Sequence, residues 1–194
     1  MMEKTMTAGP EHRMGIHPLK FALYLGIVSI IMAFAAFSSA YIVRQAAGNW
    51  LEFTLPKMFY VSTAVIVLSS VCLKLCSRAF DRGNVIVYRL LMGITFVLGV
   101  TFLFTQYYGW MEMYHSGIDL KGNPSGSFVY IMSMVHALHV VGGIVVLGVA
   151  LYHAFVLPFV HSPERRVRLD LTGIYWHFVD ILWVYLLLFF ILQR

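Results

Sequence analysis

Asp180 is the only carboxylate well inside an apolar run of this 194-residue chain, and it lies in the stretch YWHFVDILW, residues 175 to 183. An acid at membrane depth costs roughly 2.5–3.5 kcal/mol even on lenient scales, so it must face protein or water and find a partner. His177 stands three residues earlier, which places both on one side of a helix. Trp176 and Trp183 bring indole N–H donors to the same segment. A second patch, HALHVVGG, holds His136 and His139, also three apart.

Four kinds of chemistry compete for these residues. Haem needs axial ligands, usually His, at matching depth. His139 and His153 lie fourteen apart on one helix, but His177 is the only histidine deep in another, so His153 lacks an opposing ligand. A zinc or copper site could draw on His136, His139, His177 and Asp180, resting on a single HxxH. A proton relay would need titratable groups continuing to a surface, and between His177 and the outer face there are only Asp180 and hydroxyls. The favoured reading is a buried polar clasp of His136, His139, His177, Asp180 and Trp176. In it the carboxylate accepts from imidazole or indole and locks the last two helices together. No catalytic, metal-binding or cofactor-binding residue is assigned in this chain. Depth allows the clasp: at about 1.5 Å per residue, His139 and His177 come within one turn of the same level.

Cys72 and Cys76 lie one turn apart without metal-site spacing and read as core packing. Gln106 is a lone amide that suits an interhelical hydrogen bond. No phosphate-cradling glycine loop, nucleophile elbow or zinc hydrolase signature occurs.

The elements that must position these residues are membrane helices. The chain is 60% hydrophobic and 12% charged, well outside ordinary soluble composition. Runs long enough to cross a bilayer predict five helices at about 20–43, 57–77, 87–111, 128–158 and 171–193. The fold class expected is all-α: a polytopic bundle forming one domain over 20–194, preceded by a polar tail over 1–19. That tail lacks the apolar core of a secretory signal, so the first helix should act as its own insertion signal. The connections RQAAGNW, RAFDRGN, EMYHSGIDLKGNPSGS and SPERRVRLD read as loops, the third as successive turns.

Basic residues set the expected orientation. Ten of the fourteen, including Lys4, Arg13, Lys20, Arg78, Arg82 and Arg166, fall on the side of the tail and the second and fourth loops. The other side holds Arg44, Lys57, Lys121 and Arg194. The N-terminus is therefore expected in the cytoplasm and the C-terminus outside, with Tyr41, Trp50, Tyr107, Tyr108, Trp110, Tyr114 and Tyr130 as an outer aromatic belt. The net charge of +5 reflects this topology. Split among short loops, it makes no basic stripe, and nucleic acid is not an expected partner. On the first helix Gly26, Ser29, Ala33, Ala36 and Ala40 recur at spacings of three and four, a smooth seam for close helix approach in lipid. Gly143 shares a face with His136 and His139 on the fourth.

YWHFVDILW resembles the C-terminal signature of subunit III of haem–copper respiratory oxidases. GSFVYIMSMVHALHVVGG, LGVTFLFTQYYGWMEM and, more weakly, HPLKFALYLGIVS are similar to other segments of that family. The resemblance implies a subunit with no haem or copper of its own, both being held by partner subunits. It implies a multi-pass chain of the bacterial inner membrane that flanks subunit I, which reduces oxygen and pumps protons, alongside subunit II. It also implies bound phospholipid and support for proton uptake. Five helices match the short bacterial form, which lacks two helices of the long form and hence that form's own lipid cleft. Many members carry an acid where Ile30 stands here, so any role of that acid does not transfer. Cytochrome c is the preferred electron donor over quinol, and membership of a larger supercomplex is left open. Competing readings are a haem-binding membrane cytochrome and a small proton-coupled transporter.

Overall fold

A computed structural model describes residues 18–156 and 162–193. They form five helices: α1 (Pro18–Ala46), α2 (Lys57–Asp81), α3 (Val85–His115), α4 (Pro124–Val156) and α5 (Pro163–Leu192). All five are long and apolar enough to cross a membrane, so the chain is an all-helical multi-pass membrane protein. The helix ends run into what the sequence suggested were loops, because helices continue past the uncharged span into the headgroup region. SPERRVRLD is the clearest correction. Ser162 caps the backbone N–H of Arg165 (3.3 Å), Pro163 follows in the first turn, and Glu164 favours the helix N-terminus. The GNPSGS segment likewise opens α4 instead of ending a loop. The residues 1–17, with the tail's Lys4 and Arg13, lie outside the described residues, as do 157–161 and Arg194.

Helices α2 to α5 form a closed four-helix arrangement in which α2 packs on α3 and α5, and α4 on α3 and α5. α1 lies outside it, against α4 and α5 only. Two left-handed glycines stop helices. Gly83 (φ 69°) lets Asn84 N–H reach back to Ala79 O at 3.0 Å, and Gly117 (φ 79°) lets Ile118 N–H reach Met113 O at 3.0 Å. Asn84 then caps α3 through Val87 N–H, so α2 and α3 are joined by three residues.

The ends of the bundle are sorted as alternation requires. At one end Lys20 on α1 meets Asp170 on α5 at 3.8 Å, and Arg166 bridges Asp81 at 3.2 Å and Asp170 at 3.5 Å. At the other, Asn123 accepts from Leu51 N–H and donates to Asn49 O, while Tyr41 and Gln45 donate to Gln193 O. Of the expected belt, Tyr107, Tyr108 and Tyr114 are exposed, but Tyr41 and Tyr130 are buried. Tyr130 donates to Trp110 O and Ile118 O at 3.0 Å, which makes it a loop anchor.

The small-residue seam of α1 is exposed at all five positions, Gly26, Ser29, Ala33, Ala36 and Ala40. The face α1 turns inward carries Phe34, Ser38 and Tyr41 instead. Ile30 is half-buried against the core.

Candidate functional site

The residues singled out on α4 and α5 sit at the same level but do not converge. Tyr175 faces α4, where its hydroxyl donates to His139 O at 3.0 Å. A helix turns about 100° per residue, so His177, two positions on, points away from α4. Its Nδ1 meets the Ser70 hydroxyl of α2 at 2.5 Å. Asp180 lies on the same side as His177, is 3% exposed, and lines the same groove. The clasp expected between α4 and α5 therefore does not form: the depth was right, the facing was not.

What locks α5 in place is the pair of tryptophans. Trp176 is fully buried and its ring is wedged between α3 and α4. A Cβ on Gly99 would lie 2.7 Å from Trp176 Cη2, and one on Gly143 would lie 3.0 Å from Cε3 and Cζ3. A methyl at 99 would force the indole to move, and one at 143 would press tightly against it. Trp176 Nε1 donates to Ser69 Oγ on α2 at 2.9 Å. Two turns later Trp183 Nε1 donates to Thr63 Oγ1, also at 2.9 Å. Both indoles thus satisfy their one donor on α2, as a buried indole in a membrane bundle requires.

His136 is fully buried in an aromatic box. Its ring stacks on Trp183 (5.2 Å between centroids) and meets Phe102 and Phe34 edge-on at 5.9 and 6.5 Å. Neither ring nitrogen has a hydrogen-bond partner among the described residues. His139 is half-buried, with Nδ1 2.7 Å from Val135 O of its own helix. The Gln106 amide donates to Ser62 at 2.8 Å, the interhelical bond its isolation suggested. Cys76 is buried, its Sγ 3.4 Å from Tyr88 O, and Cys72 is half-buried; both are free thiols.

Between α2 and α5 runs a groove of about 900 Å³, closed at one edge by Lys20 of α1. Ser70, His177 and Asp180 sit along it. Among the described residues both carboxylate oxygens of Asp180 lack a direct hydrogen-bond partner, although the Ser70 hydroxyl is close enough to act on them. Serine, histidine and aspartate are the types of a hydrolytic triad, but the order is wrong. In a triad the carboxylate orients the imidazole, whereas among the described residues no hydrogen bond joins Asp180 to His177. Among the described residues no three His, Cys, Asp or Glu side chains converge to hold a metal ion.

Sequence reasoning missed Thr63, Ser69, Ser70 and the Gly99 socket. A signal was present: hydroxyls at 63, 69 and 70 recur about two turns apart, close to the seven-residue spacing of Trp176 and Trp183 on an antiparallel partner.

Comparison with known proteins identifies the family. A family profile described as "Cytochrome c oxidase subunit III" matches residues 1–193. A "Probable cytochrome c oxidase subunit 3" of Nocardia farcinica is 33% identical over 80% of this chain and 78% of its own length. A protein of the same description from Mycobacterium tuberculosis is 30% identical over the same shares. A "Cytochrome c oxidase subunit 3" of Synechocystis is 27% identical over 95% of this chain and 81% of its own length. The chain belongs to the cytochrome c oxidase subunit III family and is an accessory subunit of a haem–copper oxidase.

Proposed function

We propose that this chain is the non-redox scaffold of a terminal oxidase in a bacterial cytoplasmic membrane, and that it packs directly against subunit I with its N-terminal end in the cytoplasm. The observation that carries this reading is the divergence of the polar side chains. His136 is boxed in by aromatics, His139 turns back onto its own helix, and His177 meets Ser70. Three imidazoles committed in three directions make a poor cradle for a porphyrin or a metal ion. Haem and copper then belong to subunits I and II, and oxygen reduction takes place there.

The exposed seam of α1 supports a protein contact on that face. Small residues let another helix approach closely where apolar side chains would hold it off. The bilayer supplies no hydrophobic drive for association, so complementarity of this kind decides where neighbours sit. Orientation rests on charge. Among the described residues Lys20, Lys74, Arg78, Arg82, Arg89, Arg165, Arg166 and Arg168 lie at the α2–α3 end, and Arg44, Lys57 and Lys121 at the other. A cytoplasmic basic end follows from the usual bias. Phospholipid at the apolar flanks and cytochrome c as electron donor complete the proposal.

Purification in mild detergent tests it. The complex should contain subunits I and II with haem bands in its optical spectrum, and the isolated chain should show none. A stoichiometric haem band in the isolated chain would overturn the scaffold reading.

A further inference from the structure

We propose that the groove between α2 and α5 is a water-admitting inlet running from the basic end of the bundle to Asp180, and that Asp180 takes up and releases protons through it. The groove carries two facing polar stripes, flanked along their length by Val71, Leu73, Leu169 and Ile174. On α5, Arg166, Asp170, Gly173, His177 and Asp180 follow at spacings of four, three, four and three, which is one helix face. On α2, Ser70, Lys74, Ser77 and Asp81 repeat the same pattern in the opposite direction.

From the mouth inward polar groups recur along the groove. Arg166 joins Asp81 to Asp170 and donates to Ser77 at 2.6 Å. Lys20 of α1 closes the outer rim on Asp170, and Lys74 and Arg78 face the groove from α2. Deeper in, Ser70 and His177 form a pair, and Asp180 lies beyond them with both oxygens unpartnered. Past Asp180 the lining turns to Val67, Ile181 and Val184, so the polar path ends there without crossing.

The sequence suggested no relay because the path was sought toward the outer face. Groups that could carry it lie in the other direction, on a helix not considered as a partner. Three properties favour water as the occupant. The volume of about 900 Å³ is many times the roughly 30 Å³ a water takes in the liquid. An acyl chain or an apolar partner helix would lay hydrocarbon against hydroxyl, imidazole and carboxyl, leaving each unsatisfied. Neither Asp180 oxygen has a hydrogen-bond partner among the described residues, and the one donor close to them is the Ser70 hydroxyl, which also pairs with His177. Lys20, Lys74, Arg78 and Arg166 outnumber Asp81 and Asp170 along the approach, which disfavours a metal cation. A proton passes such a field by hopping through water and imidazole. The step is balanced: hydronium gives one proton to the Asp180 carboxylate, leaving water and the neutral acid, and the reverse releases it. This property belongs to the chain's own groove and stands apart from which subunit it touches.

The purified oxidase complex provides the test. Gly173 faces the groove, and a Cβ there meets no atom within 4 Å. Gly173→Cys, with Cys72 replaced by alanine and the fully buried Cys76 retained, should react with a charged methanethiosulfonate reagent. Phe104→Cys, on the exposed apolar face of α3, should not. In infrared difference spectra a carboxyl band lost in Asp180→Asn should vary with pH and shift on transfer to D2O. Gly173→Phe, which fills the inlet while leaving the acid in place, should abolish that shift over the time in which wild type completes it. The proposal fails if Gly173→Cys is as inert as Phe104→Cys, the result expected of a groove filled by lipid or by a neighbouring helix. It also fails if the Asp180 band ignores D2O. Where Asp180→Asn does not assemble, thiol labelling alone decides.

Discussion

α1 and α5 are matched in length and apolar character, and the chain treats them in opposite ways. α5 buries ten residues of its thirty, among them Trp176, Asp180 and Trp183. α1 buries three of its twenty-nine. The difference lies in shape and in hydrogen bonding. α5 carries large rings that fill sockets on α3 and α4 and end in donors answered on α2. α1 fully buries only Phe34, Ser38 and Tyr41, with Ser38 Oγ 2.8 Å from the Tyr185 hydroxyl of α5, and leaves its close-packing face outside. In lipid, where exposing leucine costs nothing, hydropathy does not distinguish a helix that holds its own chain together from one that awaits a neighbour. Socket geometry and satisfied polar atoms do.

The comparison is open to experiment. The largest effect is expected from Trp176→Ala, which empties the space between Gly99 and Gly143 and orphans Ser69. A loss of about 3–5 kcal/mol is typical of truncating a large buried aromatic. Thermal unfolding in detergent should register it, and a wild-type midpoint would mean that the wedge does not hold the bundle. Next comes Gly99→Ala, whose new methyl would fall 2.7 Å from the indole and should cost about 1–3 kcal/mol. Gly93→Ala on the same helix meets nothing within 4 Å and should be neutral or slightly stabilising. Equal behaviour of the two would refute the socket. Ser69→Ala removes only the acceptor of the indole bond, and interhelical hydrogen bonds in membranes average about 0.6 kcal/mol. A small drop in melting temperature is expected, well below that of Trp176→Ala. Smallest of all, Gly26→Leu on the exposed seam should leave unfolding of the isolated chain unchanged. The same variant should reduce retention of the subunit in the assembled oxidase, whereas unchanged retention would remove α1 as a docking face.

Much of the fold was legible, because five apolar runs between charged or glycine-bearing turns admit few alternatives. Helix ends were less so. Charge marked the start of the α5 span at residue 171, while the helix begins at Pro163, where Ser162 and Pro163 already spelled a cap. The site was half legible. Asp180, His177 and Trp176 were identified as the residues that need explaining, and the Gln106 bond was anticipated. Their partners were assigned to α4 because consecutive helices are usually neighbours. α5 does touch α4, but through Tyr175, one side of Trp176 and the Trp183 ring stacked on His136, and a rotation of two residues carries His177 round to α2. Spacing along one helix fixes which residues share a face. It does not say which neighbour that face will meet, and only the paired hydroxyls of α2 held that information.

The three-residue link of Arg82, Gly83 and Asn84 has a bearing on biogenesis. At most about 3.5 Å per residue, it gives α2 and α3 no slack to diffuse apart, so once both have entered the bilayer they are already side by side. Ser69 and Gly99 are thereby presented on one ready-made surface before the C-terminal helix has left the ribosome, and α5 arrives last, to a berth that is waiting for its indole.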